Sequence, residues 1–127
     1  MEKEIRKCQS ESSIQMQIVD YLSHTAARFK NFMFFSIPNE GVMIGNSGNK
    51  NAKINFLKKL GLTPGIPDIE IVAEGGRVFF LEVKNSKGKV RERQKLVHAQ
   101  MKNLNIPVAV VRSVEDVMDI MKMWGLC

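Results

Sequence analysis

Three residues in "GIPDIEIVAEGGRVFFLEVK" (65–84) have types and spacing that suit chemistry: Asp68, Glu82 and Lys84. Asp68 opens one apolar run, and Glu82 and Lys84 close the next. Charge at such positions is costly unless something compensates it. The "EGG" between the runs reads as the turn of a β-hairpin. If the turn is residues 74–76, Ala73 faces Arg77 and, counting back, Asp68 faces Glu82; a two-residue turn shifts this by one. Opposed residues on paired strands have β-carbons about 5 Å apart. Alternation puts Glu82 and Lys84 on one face, and Leu81 and Val83 on the other. Two carboxylates that close repel, so one resists ionisation. A divalent cation removes the conflict, and Mg²⁺ favours one or two carboxylates completed by waters and phosphate oxygens. Lys84, one pleat away, then touches a phosphate, orients a water or stabilises developing charge, which suits phosphodiester hydrolysis. The plainer reading is a surface hairpin with a solvated Glu82–Lys84 pair, which would be worth little. The apolar neighbours Phe79, Phe80, Leu81 and Val83 favour the metal site.

Around this hairpin the chain alternates helical and extended patterns. Ser10 or Ser12 can cap a helix running to about Phe29, with Ile14, Ile18, Tyr21 and Leu22 on its apolar face. Residues 32–37 read as a short strand, and 38–51 as a Gly- and Asn-rich loop. A helix over 52–61 ends on Gly61. The hairpin strands are 68–73 and 77–84, a helix spans 90–105, a strand 107–112 and a last helix 114–124, capped by Ser113 with Asp116. The expected class is α/β, with one mixed central sheet flanked by helices. The helical crossover between 77–84 and 107–112 makes those strands parallel neighbours.

The 127 residues suit a single domain, and 44% apolar with 25% charged content suits a globular chain with a core. The formal net charge of +6 favours an anionic partner, nucleic acid foremost. "MEKEIRKCQSESS" lacks the apolar segment of a signal peptide, and no run approaches a membrane span, so a cytoplasmic protein is expected. Cys8 and Cys127 read as free thiols. His24 and His98 fit no ligand or nucleophile spacing and read as structural. Trp124, with Met118 and Met121, belongs either to the core or to a dimer surface.

Together, "IPNEG", "LGLTPGIPDIEI", "GGRVFFLEVKNSKGKVRERQ" and "NIPVAVVRS" resemble, in that order, the VRR-NUC domain of the PD-(D/E)xK nucleases, over about residues 10–117. The resemblance implies a restriction-endonuclease-like core holding one or two Mg²⁺ or Mn²⁺ ions. Asp68 and Glu82 then match the acidic metal-binding pair, the main-chain carbonyl of Val83 a further ligand, and Lys84 the catalytic lysine. Glu11 matches an acid on the first helix that also reaches the metal, and its spacing from Ile14 and Ile18 places it on the buried face. Its plainer role is to favour the helix dipole. Gln94 matches a glutamine that approaches the site, and Asn39 lies in the family's "PN" turn, building the site or contacting DNA. Lys87, Lys89, Arg91 and Arg93 alternate just after the site and suit backbone phosphates. Relatives often carry an arginine soon after the "PN" turn; here Lys50 and Lys53 are the nearest basic residues. The implied activity is hydrolysis of DNA to 5′-phosphate and 3′-hydroxyl ends. The implied protein is a homodimer acting on branched DNA such as four-way junctions, of bacterial or phage origin. The rival class is a nuclease-fold protein that binds DNA without cutting it. An RNA-binding module lacks the aromatic stacking residues it would need.

Overall fold

A computed structural model describes residues 8–38 and 48–127. Among them are four α-helices and one mixed four-stranded sheet. The helices are α1 (Glu11–Phe29), α2 (Lys50–Lys59), α3 (Glu92–Asn103) and α4 (Val114–Met123). The strands β1 (Phe32–Ser36), β2 (Ile69–Ala73), β3 (Arg77–Val83) and β4 (Val108–Val111) lie side by side in chain order.

The hairpin turn is the three-residue segment Glu74–Gly76, so Ala73 pairs with Arg77 and Ile69 with Leu81. The register read from the sequence is therefore the one formed from Ile69 and Leu81 to Ala73 and Arg77; Asp68 lies one residue before β2, with its N–H still bonded to Leu81 and its carboxylate reaching Val83. β1 pairs antiparallel with the other side of β2. β3 and β4 run parallel, joined by the α3 crossover, with Glu82 beside Val110 and Val83 beside Val111.

β3 is flanked by strands on both edges and covered on both faces. Its odd-numbered face carries Phe79, Leu81 and Val83 into the main core, against Ile14, Ile18 and Leu22 of α1 and Val117 and Met121 of α4. The spacing of those helical residues gives each helix one apolar stripe, and that stripe is what it buries. The even-numbered face places Phe80 against Val97 and Met101 of α3. Trp124 packs against Phe79 with ring centroids 4.6 Å apart, so it belongs to the core.

Local caps set the boundaries. Ser10, and not Ser12, caps α1: its hydroxyl accepts the Ser13 N–H at 3.1 Å, and Lys30 in the left-handed region (φ 55°) ends the helix. α2 begins two residues earlier than its apolar pattern suggests, because the Asn49 side chain accepts the Ala52 N–H at 3.1 Å. Lys50 therefore stands on a helix rather than in a loop. Ser113 caps α4 by accepting from Asp116 N–H, as expected, and the Asp116 carboxylate accepts in turn from Arg112 N–H at 2.9 Å.

A candidate metal centre at the head of the hairpin

The sheet brings Asp68, Glu82 and Lys84 to one place. Asp68 continues β2 backwards: its N–H donates to Leu81 C=O at 3.1 Å, and its C=O accepts from Ile37 N–H at 2.8 Å. Its carboxylate accepts the Val83 N–H through Oδ2 at 2.7 Å. Phe80 and Lys84 donate their N–H groups to β4, to Pro107 and Val111. Val83, between them, turns its main-chain N–H to the Asp68 side.

Glu82 and Lys84 share the even-numbered face and are 1% and 5% exposed, so neither belongs to a solvated surface pair. Burial pushes the Glu82 carboxyl up to about 9; the hydrogen bond and charge of Asp68 push the same way, the Lys84 charge opposes them, and Glu11 adds a smaller upward push. At neutral pH the buried carboxyl therefore holds a proton unless a positive charge arrives.

His98 enters here, contrary to its reading as a residue without a role at the site. Its Nε2 lies 3.1 Å from Glu82 Oε1, with the ring 18% exposed. Burial and the Lys84 charge lower the His98 pKa, with Asp68 opposing. Both shifts favour the neutral forms, and so a hydrogen bond over an ion pair at this contact.

A cleft of about 590 Å³ opens over these residues. Glu11, Asp68, Glu82, Lys84, Arg91, Arg93 and Gln94 all contribute to its lining. Glu11 departs from expectation: it is the first residue of α1, beyond the end of the core, so it is exposed at the rim rather than buried. Gln94 also lines the cleft, but its Oε1 accepts the Arg91 N–H at 2.9 Å, closing the first turn of α3. Lys87, Lys89, Arg91 and Arg93 are exposed, the last two at the cleft edge; Lys50 is exposed and Lys53 half-buried on α2. Asn39 lies outside the described residues.

Two glycines shape the walls. Gly65 (φ 90°) lets the 63–66 loop lie on the start of α3; a β-carbon there would stand 2.6 Å from the Arg93 carbonyl oxygen. Gly88 faces Glu11; a β-carbon there would stand 2.9 Å from Glu11 Oε1. The turn that carries Gly88 is held from β4's end, where Arg112 Nη1 donates to Asn85 C=O at 2.6 Å and Gly88 C=O at 2.7 Å. Arg112 was not legible as part of this neighbourhood, since the path of the 85–88 turn decides which carbonyls it meets.

The donor set fits a hard divalent cation. The carboxyls of Glu82, Asp68 and Glu11 present oxygen atoms to one cleft. Among the described residues no three His, Cys, Asp or Glu side chains close into a cage. A cation here would take its remaining ligands from water and substrate, as Mg²⁺ does.

The comparisons follow the same lines. The family model described as "VRR-NUC domain" matches residues 7–115. Among solved structures, one described as "VRR_NUC domain protein" superposes with a TM-score of 0.63 at 18% identity, covering 95% of this chain and 93% of that one. At that identity the likeness shows the fold, which is the mixed-sheet α/β nuclease-like core. No curated protein matches.

Proposed function

The chain belongs to the VRR-NUC domain family, and from that membership we propose that it is a metal-dependent DNA endonuclease. The observation that carries the reading is the burial of Glu82 beside Asp68 and Lys84 at the head of one cleft edged by arginines. Asp68, Glu82 and the Val83 carbonyl would hold Mg²⁺ or Mn²⁺, with Glu11 at the cleft rim as a further candidate ligand. A bound Mg²⁺ supplies polarisation of the scissile phosphate and a more acidic attacking water. Lys84 sets a positive charge against the phosphate oxygens as negative charge develops there. Arg91 and Arg93 hold the backbone on either side. Gln94, with its Oε1 committed to the main chain, keeps its amide N–H groups for substrate or water.

The substrate proposed is branched DNA, four-way junctions first, cut by a homodimer whose two sites reach two strands. The test is cleavage of a panel comprising a four-way junction, flap, splayed arm and linear duplex, with Mg²⁺, Mn²⁺ or EDTA, for wild type and Asp68→Ala. Metal-dependent cuts that vanish in the variant are expected, with paired symmetric incisions on the four-way junction. Tight binding without cutting under either metal would hand the reading to a DNA-binding protein of nuclease fold.

Gly88→Ala tests the place of Glu11. The clash falls on the far end of a flexible side chain, so the stability cost should stay below about 1 kcal/mol. Displacing the rim carboxylate should weaken Mn²⁺ binding by about tenfold. Thermal denaturation in EDTA and a Mn²⁺ titration together check both; unchanged affinity would remove Glu11 from the metal site.

A further inference from the structure

We propose that His98 is a positioning residue for the metal site, fixing Glu82 through one carboxyl oxygen so that the other is presented to the cation; this rests on the nuclease reading above. Glu82 sits at the end of β3 on the face that α3 covers. A glutamate side chain has three torsions, and burial alone does not choose among its rotamers. His98 makes that choice. Its Nε2 meets Oε1 at 3.1 Å, with the glutamate 1% exposed. The ring itself is held by its helix: Val97 and Met101, on either side of it in sequence, are buried against Phe80 two residues before Glu82. Gln94, one turn earlier, lines the same cleft.

The chemistry favours a role beyond filling space. An apolar side chain at this partly buried position would avoid desolvating an imidazole. An imidazole aimed at a carboxyl oxygen is the kind of outer contact that orients a metal-binding carboxylate, and its loss typically costs 10–100-fold in metal affinity. Nothing in the 3.6-residue periodicity marks His98 for this, because it depends on how α3 is rotated against the sheet.

The test compares His98→Leu and His98→Gln with wild type. Mn²⁺ binding is read without DNA by electron paramagnetic resonance of the free ion. Stability is read in EDTA. Single-turnover cleavage is then titrated with Mn²⁺ on whichever panel DNA the wild type cuts. His98→Leu should weaken Mn²⁺ binding by 10–100-fold, shift the metal requirement of cleavage by the same factor, and leave stability in EDTA near wild type. His98→Gln, which restores a hydrogen-bonding group, should recover most of the affinity. Equal Mn²⁺ affinity in wild type and His98→Leu would overturn the proposal while leaving the nuclease reading intact, as would a His98→Gln variant as weak as His98→Leu. A wild type that neither binds Mn²⁺ nor cuts any DNA would overturn the nuclease reading and this inference with it.

Discussion

Replacing Lys84 by methionine is expected to slow DNA cleavage by about 10²–10³-fold while leaving the protein as stable as wild type. Lys84 is 5% exposed, yet among the described residues it forms no ion pair within 4 Å. Its stem is packed in the fold while its charged end opens on the cleft, so an apolar chain of similar length keeps the packing and loses only the charge. A charge held at the head of a cleft beside Glu82 is a functional candidate. The substitution also removes the charge that draws the Glu82 carboxyl downward, so Mn²⁺ binding should weaken as well. Single-turnover rates at saturating metal separate the two effects, because saturation restores occupancy but not the missing charge at the phosphate. Lys84→Arg keeps the charge but changes its shape and reach, and should recover metal binding more than rate. Cleavage by Lys84→Met within a few-fold of wild type at saturating metal would take Lys84 out of the chemistry. A large loss of stability in EDTA would make its role structural.

The site was legible where backbone periodicity alone decides geometry. The three-residue turn fixed the register from Ile69 and Leu81 onward, and that register with strand alternation brings Asp68, Glu82 and Lys84 to one cleft. The parallel pairing of β3 and β4 followed from the helical crossover. Legibility failed where packing or caps decide. Glu11 shares a helix face with Ile14 and Ile18, but a helix can project past its core, and α1 does so by one turn. Lys50 was read as loop because it precedes the apolar pattern; a single side-chain bond from Asn49 outweighed that pattern. Gln94 was read as turned to the site, and part of it serves the main chain of Arg91 instead. His98 and Arg112 are the largest gaps. His98 depends on how α3 is rotated against the sheet, and Arg112 on the path of the 85–88 turn beyond β3, and no local spacing encodes either.

Glu82→Gln should make the metal-free protein progressively more stable than wild type as pH rises, by about 2 kcal/mol between pH 7 and 9. In the fold the carboxyl is held at about 9, first by burial and then by Asp68. In the unfolded chain it ionises near its ordinary value of 4.5. Between those values the folded state keeps a proton that the unfolded state has released. Stability from this group is therefore complete below pH 4.5 and is lost as pH rises towards 9, at about 1.4 kcal/mol per unit. Glutamine keeps the shape and cannot ionise, so the variant escapes the loss. The window is chosen for His98: with its folded value lowered below 6.5, its own slope is small at pH 7, vanishes above about pH 8, and is opposite in sign to that of Glu82. Guanidinium unfolding in EDTA at pH 7, 8 and 9 measures the divergence. Mn²⁺ should then reverse the order. The cation replaces the proton on Glu82, so it should stabilise wild type increasingly from pH 7 to 9, while the variant gains little and cuts nothing. Parallel pH curves for the two proteins in EDTA would mean that Glu82 is already ionised in the metal-free fold, its charge balanced by Lys84. The cation would then be needed for the phosphate and not to resolve a conflict between carboxylates.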